Sequence, residues 1–350
     1  MRIGLVGYGT GGKNFHAPYI EATADCELVG IVARAPATVA RAQADWPETP
    51  IFDSLGEMIE SGVDAVTIST PPVTRRELVL EAVGRGVHVV ADKPFAPSAA
   101  AARELVNAAE AAGVLLSVFH NRRWDADIRT LRKVLRDEQL GDIWRFDSRF
   151  DTDDPATLER GPEGGLLRDI GSHLVDQALW LFGPAARVYA NLDWIDEDAL
   201  RTDAAFMIAI THQSGVRSYL SSSKLSGLVS RELRLLSPRG NYVSDQTDVQ
   251  AQAVFSGQKP VDDPQGWGRE VEARWGTLTL TGEKSIKVPS EQGAYQDFYT
   301  QFAAAARGNA PQPVPATEAI STLEVLDAAR TSSVENRVVQ VGVKQQASGR

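Results

Sequence analysis

A lysine stands at the end of an apolar run, where a cation could act on a bound ligand. Residues Val89 to Ala91 are apolar and lead directly into Asp92, Lys93 and Pro94. Such a run predicts a buried strand, and open α/β sheets bind ligands at the carboxyl ends of their strands. Lys93 is therefore a candidate catalytic and ligand-contacting residue, with Asp92 beside it. Many lysines at strand ends are only solvated surface charges. Two further motifs favour a functional role for Lys93 over this alternative.

A histidine with two carboxylates at helical spacing forms the second candidate cluster. Asp169, His173 and Asp176 are separated by four and three residues, which places them on one side of a helix. The cluster could be a metal site or a general base, but the scarcity of cysteine and the lack of another evident ligand disfavour a metal. A lone helical histidine is usually structural, so its pairing with Lys93 makes His173 a candidate. Asp176 can equally serve to anchor the helix.

A glycine-rich turn near the N-terminus predicts a dinucleotide-binding loop. A strand at 3–6 runs into a G-x-G-x-x-G sequence, and a segment through Ile20 that can begin a helix follows. The glycines of this motif permit a tight turn, close approach of a pyrophosphate and close helix–strand packing, while the helix N-terminus attracts the anion. The loop residues predicted to contact the cofactor are Gly7, Tyr8, Gly9, Thr10, Gly11 and Gly12.

The end of the second predicted strand bears on the choice of cofactor. NAD-specific proteins usually present Asp or Glu to the ribose hydroxyls at this point, whereas the strand 28–33 ends in Ala33 and Arg34. Arg34 can pair with a 2′-phosphate through its planar guanidinium. NADP is therefore favoured, and the alternative is a solvated arginine beside a site that binds either NADP or NAD.

The first third of the chain continues to alternate strands with helices. Further strands are predicted at 65–70, 87–91 and 114–119, with helices at about 74–84 and 98–112. This alternation indicates a parallel, doubly wound Rossmann sheet. Thr70, Pro71 and Pro72 close one strand and are predicted to form a wall of the cofactor cleft, although prolines there can be simple punctuation.

A polar and aromatic cluster follows the strand at 114–119. Asn121 and Trp124 are candidates for contacts with the cofactor's nicotinamide or the substrate, and packing at the domain junction is the alternative. The loop 151–163, rich in charge, proline and glycine, is expected to cover the cleft. These elements predict that ligand-facing side chains come from both halves of the chain.

The second half predicts an α/β domain with an open, mainly antiparallel sheet. Alternating segments occur at about 186–192, 204–211, 216–223, 232–237 and 241–244, and two helices follow at about 294–307 and 317–336. Antiparallel sheets often leave one face uncovered, so this face could mediate self-association. The predicted domains are residues 1–122, which bind the dinucleotide, and residues 123–350, which bind substrate and form oligomers.

Composition limits the function classes. The chain has 350 residues, a formal net charge of −10 and one cysteine, so nucleic acid is not expected as a partner and Cys26 cannot form an internal disulfide. No apolar run is long enough to span a bilayer, and no signal-peptide pattern precedes the first strand. A cytoplasmic protein without a membrane partner is the expectation.

Taken together, the motifs resemble the glucose–fructose oxidoreductase / inositol dehydrogenase / MocA (Gfo/Idh/MocA) family over nearly the whole chain. They are the glycine fingerprint, Asp92-Lys93-Pro94, and Asp169-x-Gly171-x-His173-x-x-Asp176. Three further stretches resemble its NADP-dependent scyllo-inositol 2-dehydrogenase branch: Gly7-Tyr8-Gly9 with Phe15-His16-Ala17-Pro18, residues 117–125, and residues 173–178. The resemblance implies a homodimer or homotetramer and a catalytic lysine, aspartate and histidine, which fall on Lys93, Asp169 and His173.

Three positions depart from the family pattern. Asp92 stands where many members have Glu, Arg75 stands where relatives commonly carry histidine, and Ala33-Arg34 replaces the branch's usual serine-rich strand ending. The shorter carboxylate of Asp92 is expected to keep the role of Glu. The role of Arg75 and strict use of NADP are left open.

The resulting hypothesis is an NAD(P)-dependent dehydrogenase that interconverts a secondary alcohol and a ketone on an inositol or sugar ring. His173 takes the hydroxyl proton, Lys93 stabilises the developing alkoxide, and Asp169 orients the imidazole or holds a neighbouring hydroxyl. Substrate contacts are expected from Lys93, Asn121, Trp124, Asp169 and His173. The alternatives are redox-assisted glycoside cleavage and a non-enzymatic cofactor-binding sensor or co-repressor.

Overall fold

The polypeptide forms two units, each built from separate parts of the sequence. The computed structural model describes residues 1–161, 164–197, 200–245 and 248–342. One unit comprises residues 1–126, 248–269 and 292–320, and the other comprises residues 127–247, 270–291 and 321 onward. The predicted division between residues 122 and 123 stays a prediction.

A six-stranded parallel sheet forms the centre of the first unit. Its strands are β1 Arg2–Val6, β2 Glu27–Val32, β3 Ile51–Phe52, β4 Ala65–Ile68, β5 His88–Asp92 and β6 Leu116–Phe119. The helices between them are α1 Ala17–Glu21, α2 Pro36–Asp45, α3 Leu55–Glu60, α4 Pro72–Gly84 and α5 Ala99–Ala112. The strand order β3-β2-β1-β4-β5-β6 reverses at β1, which is the switch point where doubly wound sheets bind ligands. The predicted Rossmann sheet is confirmed.

The pattern of side chains explains this sheet. Every residue of β4 and β6 is buried, as expected for strands covered on both faces. Helix α5 begins at Ser98, whose hydroxyl accepts a hydrogen bond from the amide of Ala101, and it ends at Gly113 with φ +67°, a left-handed conformation that glycine adopts readily. Local capping and burial therefore fix the elements around β5, which pairs with β4 and β6 and ends directly before Lys93.

A nine-stranded mixed sheet organises the second unit. In chain order, the elements from its start to residue 245 are α6 Ala126–Arg136, β7 Arg145–Asp151, α7 Ser172–Phe182, β8 Ala185–Glu197, β9 Leu200–His212, β10 Arg217–Ser223, β11 Ser230–Ser237 and β12 Gly240–Ser244. Strands β7 and β10 pair in parallel, while the other neighbouring pairs are antiparallel. The prediction of an open, mainly antiparallel sheet is confirmed.

The C-terminal part of the chain contributes to both units. Its elements are α8 Val249–Phe255, β13 Gly276–Leu280, β14 Ile286–Val288, α9 Gln296–Ala306, α10 Ala316–Glu335 and β15 Val339–Gln340. Helices α8 and α9 belong to the first unit, and β13 to β15 extend the sheet of the second unit. Across the described ranges, every helix is too short or too polar to cross a bilayer.

Candidate active site

The glycine-rich loop follows β1 in the first unit. The structure shows why glycine is required at two positions of the fingerprint and what glycine leaves open at the third. Gly7 has φ +95°, and a Cβ there would lie 2.4 Å from the carbonyl oxygen of Ser69. A Cβ on Gly12 would lie 2.1 Å from the carbonyl oxygen of Gly7. A Cβ on Gly9 would meet no atom within 4 Å among the described residues other than Gly9 itself and its chain neighbours Tyr8 and Thr10. Gly7 and Gly12 thus fold the loop, and Gly9 leaves open the space that a pyrophosphate could occupy.

Tyr8 holds this loop to helix α2. Its hydroxyl donates to Asp45 Oδ2 at 2.9 Å and accepts from Trp46 Nε1 at 2.8 Å. Asp45 also forms an ion pair with Lys13, at 2.8 Å. The buried ring of Tyr8 packs in the hydrophobic core. Its side chain therefore supports the loop from the core side, and only its backbone can face a cofactor.

Two arginines lie near the end of β2. Ala33 is buried, whereas Arg34 is exposed and donates through Nε to the carbonyl oxygen of Asp53 at 3.0 Å. Arg41, on α2, donates to the carbonyl oxygen of Tyr8 at 2.9 Å. The sequence analysis did not single out Arg41, because it lies within a helical segment that carries no motif. Its guanidinium nevertheless borders the glycine-rich loop.

Asp92 joins the glycine-rich loop to Lys93. The backbone amide of Lys93 donates to Asp92 Oδ1 and the hydroxyl of Ser69 donates to Asp92 Oδ2, both at 2.9 Å. A Cβ on Gly11 would lie 2.9 Å from the same Oδ2 atom, so the loop packs directly on this carboxylate. Asp92 therefore fixes the backbone that carries Lys93 relative to the loop.

A buried histidine and tyrosine support this carboxylate from behind. His16 Nε2 approaches Asp92 Oδ2 to 3.4 Å, and His16 Nδ1 lies 2.7 Å from the hydroxyl of Tyr299. Burial acts to raise the pKa of Asp92, but His16, together with the charges of Arg75 and Lys93, outweighs it and holds this pKa well below its usual range. Sequence reasoning noted His16 only within a family motif and missed Tyr299.

Arg75 clamps the turns that follow β4 and β5. It is buried, and its guanidinium donates to the carbonyl oxygens of Thr70 at 2.6 Å, of Asp92 at 2.9 Å and of Pro94. These acceptors lie on both sides of Lys93, whose peptide bond to Pro94 is cis. The side chain of Arg75 thus braces the backbone on both sides of Lys93.

The predicted wall of the cleft begins helix α4. Pro71 precedes the helix and Pro72 is its first residue, a position where the missing amide and fixed φ of proline are well tolerated. The hydroxyl of Thr74 donates to Thr70 Oγ1 at 3.0 Å. Thr70, Pro71 and Pro72 therefore lie at the carboxyl end of β4, as predicted, and also set the start of the helix.

Asn121 and Trp124 lie in a short 3₁₀ helix at the end of the same sheet. Both side chains are buried. The indole of Trp124 packs edge-on against Phe298, with ring centroids 5.6 Å apart. The backbone carbonyl oxygen of Trp124 accepts a hydrogen bond from the amide of Ala294 at 3.0 Å. These contacts show a packing role for Trp124 within the first unit, and the predicted ligand contacts of both residues stay predictions.

The predicted acid–base cluster lies in the second unit, but its helix is not uniform. Residues Leu167–Gly171 form a π-helical turn that leads into α7, so Asp169 precedes the α-helix that carries His173 and Asp176. A regular helix was expected from the spacing, and π-turns within helices are frequent at functional sites. His173 is 6% exposed and Asp176 is 2% exposed, and both lie in the first half of α7.

A lysine that sequence reasoning missed contacts Asp169. Lys224 Nζ lies 2.8 Å from Asp169 Oδ2 and donates to the carbonyl oxygen of Thr157 at 3.1 Å. Nothing in the sequence around Lys224 signals this pairing, because the two residues are 55 positions apart. The carboxylate of Asp169 is therefore held by a cation within its own unit.

Asp203 on β9 supports the turn that carries Asp169. Asp203 Oδ2 accepts from the amide of Leu167 at 2.6 Å. Gly165 has φ +92°, and a Cβ there would lie 2.1 Å from Asp203 Oδ1. Burial raises the pKa of this aspartate, although the amide hydrogen bond acts in the opposite direction. The sequence places two glycines before the turn, and the structure shows that the second makes room for Asp203.

The loop expected to cover the cleft is anchored along β10. The amides of Thr152 and Asp154 donate to the carbonyl oxygens of Ser223 and Lys224 at 2.9 and 3.2 Å. The amide of Gly161 donates to the hydroxyl of Thr202 at 2.9 Å. Residues 162 and 163, at the end of this predicted loop, lie outside the described residues. Among the described residues, no group of three or more His, Cys, Asp or Glu side chains is arranged to hold a metal ion.

Comparison with known proteins identifies both halves of the chain. Residues 1–120 match the model of the oxidoreductase family with an NAD-binding Rossmann fold, and residues 128–241 match the GFO/IDH/MocA C-terminal domain. The Escherichia coli oxidoreductase YdgJ is 34% identical over 337 residues, covering 93% of this chain and 94% of YdgJ.

Two further relatives extend this match to function and structure. The Bacillus subtilis enzyme IolW, scyllo-inositol 2-dehydrogenase (NADP⁺), is 30% identical over 350 residues and 97% of this chain, and the match covers 96% of IolW. The structure of the oxidoreductase YPO2259 from Yersinia pestis superposes with a TM-score of 0.88 at 32% identity, covering 97% of both chains. With its parallel sheet and glycine-rich loop, the chain belongs to the Gfo/Idh/MocA family and is an NAD(P)-dependent oxidoreductase of the dehydrogenase type.

Proposed function

We propose that this enzyme reversibly oxidises a secondary alcohol on an inositol or sugar ring to a ketone, with NADP as the favoured cofactor. The similarity to IolW supports this substrate class and this cofactor. The observation that carries the proposal is the position of Asp92, whose carboxylate contacts the glycine-rich loop and also holds the backbone amide of Lys93. A cation beside a cofactor loop is suited to stabilise an alkoxide that forms during hydride transfer.

The first unit has a cradle that fits a dinucleotide. The open space above Gly9 admits a pyrophosphate, and the exposed side chain of Arg34 supplies positive charge near the end of β2. The residues proposed to hold the cofactor are Gly7, Tyr8, Gly9, Thr10, Gly11, Gly12, Ala33, Arg34, Thr70, Pro71, Pro72, Asp92, Lys93 and Asn121. When bound, NADP or NAD supplies the acceptor for the hydride.

The remaining chemistry is assigned to three side chains. The imidazole of His173 accepts the proton of the substrate hydroxyl as its carbon is oxidised, and returns that proton in the reverse direction. The ammonium of Lys93 donates a hydrogen bond to the same oxygen and stabilises its developing negative charge. Asp169, whose Oδ2 lies 2.8 Å from the Nζ of Lys224, accepts hydrogen bonds and so orients either the imidazole or a neighbouring substrate hydroxyl.

The experiment is to follow nicotinamide absorbance with a panel of inositols and aldoses, using NADP and NAD in parallel. Lys93→Met should lower kcat by about 10²–10⁴-fold and should weaken cofactor binding far less than that. Lys287→Met is a matched control, because Lys287 is exposed and, within the part of the chain that the structure describes, its Nζ donates only to the carbonyl oxygen of Trp275. Near-normal turnover of Lys93→Met on every accepted substrate would contradict the assignment.

The preference for NADP can be tested separately at Arg34. A charge-assisted hydrogen bond to a 2′-phosphate contributes about 1.5–3 kcal/mol, so Arg34→Gln should raise the KM for NADP by about 10–100-fold. The KM for NAD should be unchanged, because NAD has no phosphate at this position. Equal effects on both cofactors would show that Arg34 does not read the 2′-phosphate.

We also propose a cytoplasmic homodimer or homotetramer that associates through the open sheet of the second unit. The outer face of this sheet carries a shallow groove whose lining includes the charged residues Arg149 and Arg234 and the aromatic ring of Tyr219. The single cysteine, Cys26, is a free thiol, which fits a reducing compartment. Sedimentation at working concentration tests the assembly, and a monomer would refute it.

A further inference from the structure

Lys224, which is not among the proposed catalytic residues, is buried and paired with Asp169. Lys224 directly follows β10 and is only 5% exposed. Its Nζ makes a 2.8 Å ion pair with Asp169 Oδ2 and a 3.1 Å hydrogen bond to the carbonyl oxygen of Thr157. One ammonium group thus connects the end of a strand, the loop before the π-helical turn and the carboxylate within that turn.

The backbone around Lys224 is fixed on both sides. Its amide donates to the carbonyl oxygen of Ala204 on β9, and its carbonyl oxygen accepts from the amide of Asp154, both at 3.2 Å. Strand β10, which leads to it, pairs with β7 on one edge and β9 on the other. The lysine therefore emerges from the rigid part of the unit, whereas Asp169 lies in a turn.

A buried ammonium group is costly unless it is paired. Moving an ion from water into a protein interior carries a large free-energy penalty, which only a close partner with good geometry offsets. An exposed lysine would do equally well for solubility, so burial beside a candidate catalytic carboxylate indicates a specific task. An ionised carboxylate only accepts hydrogen bonds, which is the state that the role of Asp169 requires.

We propose that Lys224 is a positioning residue of the dehydrogenase, and this inference rests on the proposed function. Lys224 holds Asp169 in its ionised form and in one orientation, and it does so through Oδ2. It acts on turnover only through Asp169. Because the contacts of Lys224 among the described residues lie in the second unit, the residues of the glycine-rich loop keep their geometry when Lys224 is changed.

The test is a double-mutant cycle of Lys224→Met and Asp169→Asn, measured on the best substrate of the panel. Lys224→Met should lower kcat/KM by about 10–100-fold, the effect of a lost charge-assisted hydrogen bond, mainly through kcat, with the Kd of the cofactor unchanged. Lys224→Arg keeps the charge and should recover part of the activity. Lys287→Met should behave as wild type. Thermal unfolding of each variant identifies a loss that comes from misfolding.

The double variant separates positioning from other roles. If Lys224 acts through Asp169, adding Lys224→Met to Asp169→Asn costs no further activity, because the interaction is already lost. This comparison remains possible if Lys224→Met alone folds poorly, since the double variant removes both members of the pair. Additive losses, or full activity of Lys224→Met beside a crippled Asp169→Asn, would overturn the inference. Full activity of Asp169→Asn would instead refute the role of Asp169 in the proposed function.

Discussion

Substituting single glycines of the cofactor loop separates folding from cofactor binding. In Gly9→Ala the new methyl group points into open space, because among the described residues no atom beyond residues 8–10 lies within 4 Å of it. In Gly12→Ala the methyl group would lie 2.1 Å from the carbonyl oxygen of Gly7. The two substitutions add the same methyl group at positions three residues apart. At Gly9 the group faces the proposed pyrophosphate, and at Gly12 it faces the backbone of the loop.

The magnitudes follow from these distances. Gly9→Ala should leave the free energy of unfolding of the cofactor-free protein unchanged, or raise it by up to about 1 kcal/mol through the unfolded chain. A methyl group in the pyrophosphate space should weaken cofactor binding by about 1–3 kcal/mol, or 10–200-fold in Kd. In Gly12→Ala, contact at about 3.3 Å or more is normal for carbon and oxygen, so the backbone must open by about 1 Å. Overpacking of this kind costs about 1–3 kcal/mol of stability.

The assay is calorimetric titration with NADP and NAD, combined with thermal unfolding with and without cofactor. For Gly9→Ala, the stabilisation by a fixed cofactor concentration should fall by about 1.4 kcal/mol for each tenfold rise in Kd. Gly12→Ala should unfold at a lower temperature even without cofactor. An unchanged Kd for Gly9→Ala would refute the placement of the pyrophosphate above Gly9.

Two further outcomes test the supports of the site. The depressed pKa of Asp92 contributes stability that is present above the unfolded value of about 3.9 and is lost as the pH falls further. Asp92→Asn should therefore lose less unfolding free energy than wild type between about pH 5 and pH 3, and parallel urea-derived curves would contradict this. Gly165→Ala should cost about 1–3 kcal/mol more than Gly183→Ala and lower turnover, because both glycines have positive φ but only Gly165 abuts another side chain, that of Asp203. Equal urea midpoints for these two variants would show that the contact with Asp203 is unimportant.

Local patterns were sufficient to predict most of the fold. The glycine fingerprint, the apolar strands and the alternation with helices are signals within about 20 residues, and they predicted five of the six strands of the parallel sheet. Strand β3 was missed because it has only two residues. Strands β13 and β14 were missed as well, since β14 has three residues and the pair lies among turns. The way later segments return to the first unit had no local signal.

The parts of the site that could be predicted are those whose residues are neighbours in the sequence. Contacts between residues that are far apart in the sequence could not be predicted. Lys93 and Asp92 lie at the end of one strand, as their neighbours in sequence indicated. The supports of these residues come from far away: His16 and Tyr299 are 283 positions apart. A lysine after three serines, as at Lys224, carries no signature. The role of a side chain that acts through a partner distant in sequence can be recognised only in the folded unit, where the two residues are in contact.

The π-helical turn at Leu167–Gly171 makes chain length itself a determinant of the chemistry. Each residue of an α-helix advances about 100° around the axis, and a π-turn holds an extra residue within a helix. Deleting one residue between Asp169 and His173 would shorten their spacing from four residues to three, and in a regular α-helix this changes the angle between the two side chains by about 100° around the axis. An insertion or deletion here can therefore change the orientation of Asp169 relative to His173, and with it the activity, while every side chain named above is retained.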